Sequence, residues 1–134
     1  MKKVTISQNG HQSMANSYGN IDKELEELGF CYHFKLADRM NERNLTVRKL
    51  AALSGLRPAT ISDMMLGKKN SLNLHHITLL MSTLRIHNMN EIVEIYIPST
   101  VKDTMEKEAN QWLNTLEIPK ETNRLAKIVN ESLE

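Results

Sequence analysis

At 134 residues, with 40% hydrophobic and 25% charged side chains, the chain suits one compact domain with appendages, and its single cysteine, Cys31, excludes an internal disulfide framework. Five glycines and three prolines leave little turn chemistry, and no apolar run approaches a membrane span or a signal-peptide core, so a helical, cytoplasmic protein is expected. The net charge of +1 conceals a pattern: residues 31–97 carry nine Lys/Arg against five Asp/Glu, while both ends are slightly acidic, so the centre is the part suited to a polyanion.

In chain order, Val4-Thr5-Ile6 is β-like and is followed by a polar run, Ser7 to Ser13, without a period. This reads as a flexible or partner-paired arm, with a disordered terminus the expectation. Asn20 can cap a short helix bearing Ile21, Leu25 and Leu28, ended by Gly29. A second helix is expected from Cys31 to Arg43, with Phe34, Leu36, Ala37 and Met40 toward the core. Thr46 caps a third, in which Val47, Leu50 and Ala51 face inward. After Ser54-Gly55-Leu56, Pro58 suits the first turn of a fourth helix, which buries Ile61, Met64 and Met65 and stops at Gly67. Asn73 caps a fifth, with Leu74, Ile77, Leu80, Met81 and Leu84 on one stripe. A sixth begins at Asn88 or Asn90, carries Ile92, Val93, Ile95 and Tyr96, and closes at Pro98. Beyond it, Ser99 or Thr100 opens a helix with Val101, Met105, Ala109, Trp112 and Leu116. Ile118-Pro119 breaks that helix, and a last amphipathic segment carries Leu125, Ile128, Val129 and Leu133.

The informative stretch is Thr46 to Lys68. Two short helices there must cross steeply with their backbones close. Ala51 is small enough to permit the approach, and Gly55 takes the left-handed turn that a larger side chain resists. Leu50, Leu56, Ile61 and Met64 then converge on one small core. The second helix keeps an outer face of Arg57, Ala59, Thr60, Ser62 and Asp63, short enough to lie in a groove about 12 Å wide.

The pieces Leu50-Ala51, Gly55-Leu56, Thr60-Ile61-Ser62 and Gly67-Lys68, in that order and spacing, resemble the lambda repressor–Cro superfamily of helix-turn-helix regulators, also called the xenobiotic-response-element family. Asn70, Leu74, Ile77, Leu80 and Leu84 are similar to the helix that completes its five-helix domain. The resemblance covers about residues 31–97. It departs at Val47, where members often carry glutamine, and at Ser71-Leu72, where many carry proline. It implies that Arg57, Ala59, Thr60 and Asp63 read base edges. Arg57 would pair with guanine, Ala59 and Thr60 would touch a thymine methyl, and Asp63 would accept from cytosine N4 or orient Arg57. Thr46, Arg48, Ser62, Lys68, Lys69 and Asn70 would contact phosphates.

His75 and His76 are adjacent and diverge on a helix, and Cys31 and His33 lack zinc-finger spacing, so no metal is expected. Cys31 reads as a small buried apolar side chain rather than a redox switch. No catalytic grouping, Gly-rich phosphate loop or cofactor motif is present, so no enzyme and no cofactor are expected.

The expectation is an all-α protein. It would consist of an N-terminal arm and short helix (1–30), a five-helix Cro/repressor-like domain (31–97) and a C-terminal helical segment (98–134). That segment would dimerise through Met105, Ala109, Trp112, Leu116, Leu125, Ile128 and Val129, or else pack on its own domain. By the resemblance, the protein would be a dimeric repressor of a bacterial mobile element on a pseudo-palindromic operator in double-stranded DNA. The rivals are an antitoxin, with the tail on a protein partner, and a phage-encoded protein inhibitor reusing the scaffold.

Overall fold

The computed structural model describes residues 1–6, 15–68 and 71–133. The polar run from Ser7 to Ser13 and the phosphate candidates Lys69 and Asn70 lie outside the described residues. The element order is β1 (Lys2–Val4), α1 (Ala15–Glu27), β2 (Cys31–Phe34), α2 (Leu36–Glu42), α3 (Val47–Ser54), α4 (Pro58–Leu66) and α5 (Leu74–Leu84). A 3-10 turn (Met89–Glu91), β3 (Val93–Tyr96), α6 (Ser99–Thr115) and α7 (Lys120–Leu133) follow.

The all-α expectation gives way to a helix-rich fold with a small antiparallel sheet, ordered β1-β2-β3. Cys31–Phe34, expected as the first turn of a helix, is the central strand. It pairs Tyr32 with Val4 on one side and with Ile95 on the other. Strand geometry puts Phe34 and His33 on opposite faces, and both are buried, so the four-residue run shows no alternation of burial. The sixth helix of the sequence reading is a single 3-10 turn and β3. Ile92 and Val93 are still buried, but Ile95 and Tyr96 are exposed. The span 31–97 thus holds four α-helices, not five. The N-terminal residues are likewise no loose arm: β1 closes the sheet, and Val4 and Ile6 are both 6% exposed. Helix α1 starts five residues before Asn20.

One hydrophobic cluster holds α2 to α5 against the sheet. Leu36, Leu50, Ile61, Leu80 and Ile92 are fully buried at its centre, with Phe34, Met40, Leu56, Met64, Ile77, Leu84 and Val93 around them. Met65 and Met81 are half-buried against this core. Leu74, placed on the inner stripe by spacing, is exposed at the first position of α5. The sheet is pinned at its end, where the Lys35 ammonium meets Glu94 at 2.9 Å and the Lys35 N–H donates to Ile92 O at 2.7 Å.

The C-terminal helices depart from this core. α7 packs against α1, where Arg124 pairs with Glu24 at 2.7 Å and also with Glu121. α6 has no buried residue along its seventeen positions. Among the described residues no helix is long and apolar enough to cross a membrane.

Candidate nucleic-acid interface

The helix-turn-helix forms as its spacing requires. The Thr46 hydroxyl accepts the Lys49 N–H at 3.1 Å and caps α3. Gly55 ends that helix at φ 82°, its N–H donating to Ala51 O at 2.9 Å. The next N–H, of Leu56, donates to Ser54 Oγ at 3.2 Å. Arg57 is extended (ψ 145°), so Pro58 enters α4 at its first turn without losing a hydrogen bond. α4 stops at Gly67, φ 65°, whose N–H returns to Asp63 O. Leu50, Leu56, Ile61 and Met64 all lie in the core cluster, and Ala51 is half-buried against it.

The opposite side of α4 is open. Arg57 and Ala59 are exposed, while Thr60, Ser62 and Asp63 are half-buried. Arg48, Lys49 and Lys68 are exposed on α3 and just after α4. None of these cations, nor Arg57, ion-pairs with a described carboxylate. On α2 the cations are neutralised: Arg39 meets Glu42 at 2.8 Å and Glu91 at 3.7 Å, and Arg43 meets Glu42 at 3.9 Å. The two crossed helices therefore present cations to solvent that no described carboxylate neutralises.

Beside α4 lies a cleft of about 410 Å³. Phe34 and Met64 line it, with Thr60 and Asp63 from α4, Ser71 and Asn73 from the link, and His76 from α5. Asn73 caps α5 by accepting the N–H groups of His75 and His76 at 2.9 and 3.2 Å. His76, which the sequence offers only as a metal ligand, sits in this cleft beside Thr60 and Asp63, a placement its sequence position does not signal.

Other expected sites fall as follows. Among the described residues no group of three or more His, Cys, Asp or Glu is placed to hold a metal ion. Cys31 is half-buried, not buried, at the start of β2. Among the described residues the buried polar side chain is His33, 7% exposed, its ring stacked on Tyr96 at 4.8 Å between centroids. Burial chiefly, and then Lys3, hold its pKa below the ordinary imidazole value. The dimerisation candidates divide in two. Met105, Ala109, Trp112 and Leu116 on α6 and its end are exposed, whereas Leu125, Ile128 and Val129 are half-buried on α7.

Residues 35–96, just under half of the chain, match the family of Cro/C1-type helix-turn-helix DNA-binding domains. No curated protein and no solved structure matches the chain.

Proposed function

We propose that the chain, whose residues 35–96 belong to the Cro/C1-type helix-turn-helix DNA-binding domains, is a sequence-specific, dimeric repressor of a bacterial mobile element that works in the cytoplasm on a pseudo-palindromic operator. The observation that carries the reading is the open outer face of α4, flanked by cations that no described carboxylate neutralises. A short helix of this kind fits the major groove with its N-terminal residues at base edges. Arg57 pairs with guanine, Ala59 and Thr60 meet a thymine methyl, and Asp63 accepts from cytosine or steadies Arg57. Thr46, Arg48, Ser62 and Lys68 hold phosphates, joined by Lys69 and Asn70, which follow in the sequence. Residues 31–97, completed by β1, are the DNA-binding unit. Residues 98–134 join two copies across half-sites about 34 Å apart. Occupancy of the operator blocks polymerase.

The test is selection of duplex sequences by the purified protein, repeated with Arg57→Ala and Thr60→Ala. Loss of a bidentate arginine contact costs about 1–3 kcal/mol of discrimination at its base pair, so the Arg57 variant relaxes one position in each half-site. Arg48→Ala and Lys68→Ala weaken all sequences alike and each lowers the salt slope by about 1. Unchanged preference in both α4 variants refutes base reading by this helix.

A second reading has one observation in its favour. The exposed apolar side of α6 also suits a protein partner, as in an antitoxin. A small protein that co-purifies through residues 99–134 and competes with dimer formation would favour it.

A further inference from the structure

Along α6 only Val101 and Glu108 are half-buried, and every other position is exposed. They stand seven residues apart, so they share one face of the helix. That face closes one side of a groove of about 430 Å³ between α1, α6 and α7. Leu25, Leu28, Phe30, Trp112 and Leu125 make the groove largely apolar, and its size lies within the about 300–1,000 Å³ of small-molecule sites. Every residue that lines it falls outside residues 35–96.

The charges in this groove have one sign. Glu108 has no ion-pair partner among the described residues. The other carboxylate of the lining, Glu121, shares Arg124 with Glu24, so one cation there meets two anions. Among the described residues no Lys, Arg or His lines the groove. A purely apolar cover would strip water from the Glu108 carboxylate and return nothing for it. A cation returns an ion pair. Trp112 follows Glu108 by one helical turn and lines the same groove, so a positive charge held by the carboxylate comes within reach of the indole, the ring that attracts cations best. We infer that the groove binds a small organic cation with an apolar body, an ammonium or other onium ion. Glu108 neutralises the charge, Trp112 lies against it, and Leu25, Leu28 and Leu125 take the body. Leu113 and Leu116 do not line the groove and stay open to association between copies. The site goes beyond the proposed regulator and does not depend on base reading by α4.

The experiment titrates the full chain with tetraphenylphosphonium and with tetraphenylborate, two ions of one shape and opposite charge. Occupancy is read from the emission of Trp112, the chain's single tryptophan, and stoichiometry from equilibrium dialysis. One phosphonium is expected to bind per chain and to move the Trp112 emission, with the borate at least about tenfold weaker. Glu108→Gln, its fold checked by circular dichroism, is expected to weaken the phosphonium about tenfold and to remove most of the preference between the ions. Glu106→Gln deletes the same charge from an exposed α6 position that does not line the groove, and is expected to change neither. Absence of saturable phosphonium binding, equal affinity for the two ions, an unmoved Trp112 emission, or equal losses in the two variants overturns the inference. So does phosphonium affinity that falls as light scattering shows the chain associating, because a second copy then covers the groove.

Discussion

Residues 35–96 and residues 99–133 carry equally clear amphipathic patterns, and the structure treats them differently. In the first region the stripes of α2 to α5 meet one another, and Leu36, Leu50, Ile61 and Leu80 are wholly buried. In the second, α6 holds an apolar stripe of similar width with nothing buried beneath it. A stripe predicts that a helix forms; what covers it depends on the rest of the assembly. The contrast can be broken by substitution. Leu80→Ala empties a sealed position and is expected to lower unfolding free energy by about 2–5 kcal/mol, whatever the protein concentration. Leu113→Ala alters a 75% exposed position and is expected to change the monomer by no more than about 0.5 kcal/mol. Denaturant melts of both variants at low and high concentration decide the matter. A Leu113 effect that appears only at high concentration places its cover in another molecule, and one present at all concentrations contradicts the exposed position.

How much was legible in the sequence follows the range of the forces. Caps and turns are local, and Thr46, Gly55, Pro58, Gly67 and Asn73 do what their chemistry requires. The inner residues of α3 to α5 followed from a 3.6 period, Leu74 apart. The sheet was hidden because its pairings are remote: Tyr32 meets Val4 and Ile95, partners far off in the chain. Cys31–Phe34 and Val93–Tyr96 are four residues each, too short for a period of two to show against a helical reading. For the candidate site, the outer face of α4 was visible in the motif. The cleft was not, because it needs Phe34, His76 and α4 together in space.

The two left-handed glycines of the helix-turn-helix sharpen the comparison within the ordered region. Gly55 and Gly67 share a conformation but not surroundings. A Cβ on Gly55 meets nothing within 4 Å, whereas one on Gly67 falls 2.6 Å from two Phe34 ring carbons and 2.9 Å from Val4 Cγ2. Phe34 and Val4 are buried, so neither can swing aside. Gly55→Ala should therefore carry only the left-handed penalty, about 1–2 kcal/mol. Gly67→Ala adds overpacking and is expected to reach about 2–4 kcal/mol. Chemical denaturation of the pair measures the difference. Equal losses would mean that the sheet does not seat on the end of α4, and that β1 is dispensable to the helix-turn-helix.

The smallest expected effect concerns acid, and it tests whether the sheet belongs to the ordered region. His33 is buried against Tyr96 and flanked by Lys3, Lys35 and Glu94. Burial first, then the two lysines, lower its pKa below 6.5, while Glu94 acts in the opposite sense. Below 6.5 the unfolded chain binds a proton at this position more readily than the folded one, so unfolding becomes easier as pH falls from neutrality toward the folded pKa. The stability tied to the neutral ring is fully present above 6.5 and is lost on acidification. Glu94 contributes in another window: the Lys35 hydrogen bond holds its carboxyl below 4.5, so its share persists until the pH drops beneath that value. Denaturant melts of wild type and His33→Phe between pH 7.5 and about 5 thus isolate the imidazole. The wild type is expected to lose stability across that range and the variant to lose less. Parallel slopes would show that the imidazole does not report the closure of the sheet over the helices, and would loosen β1–β3 from the unit that positions α4.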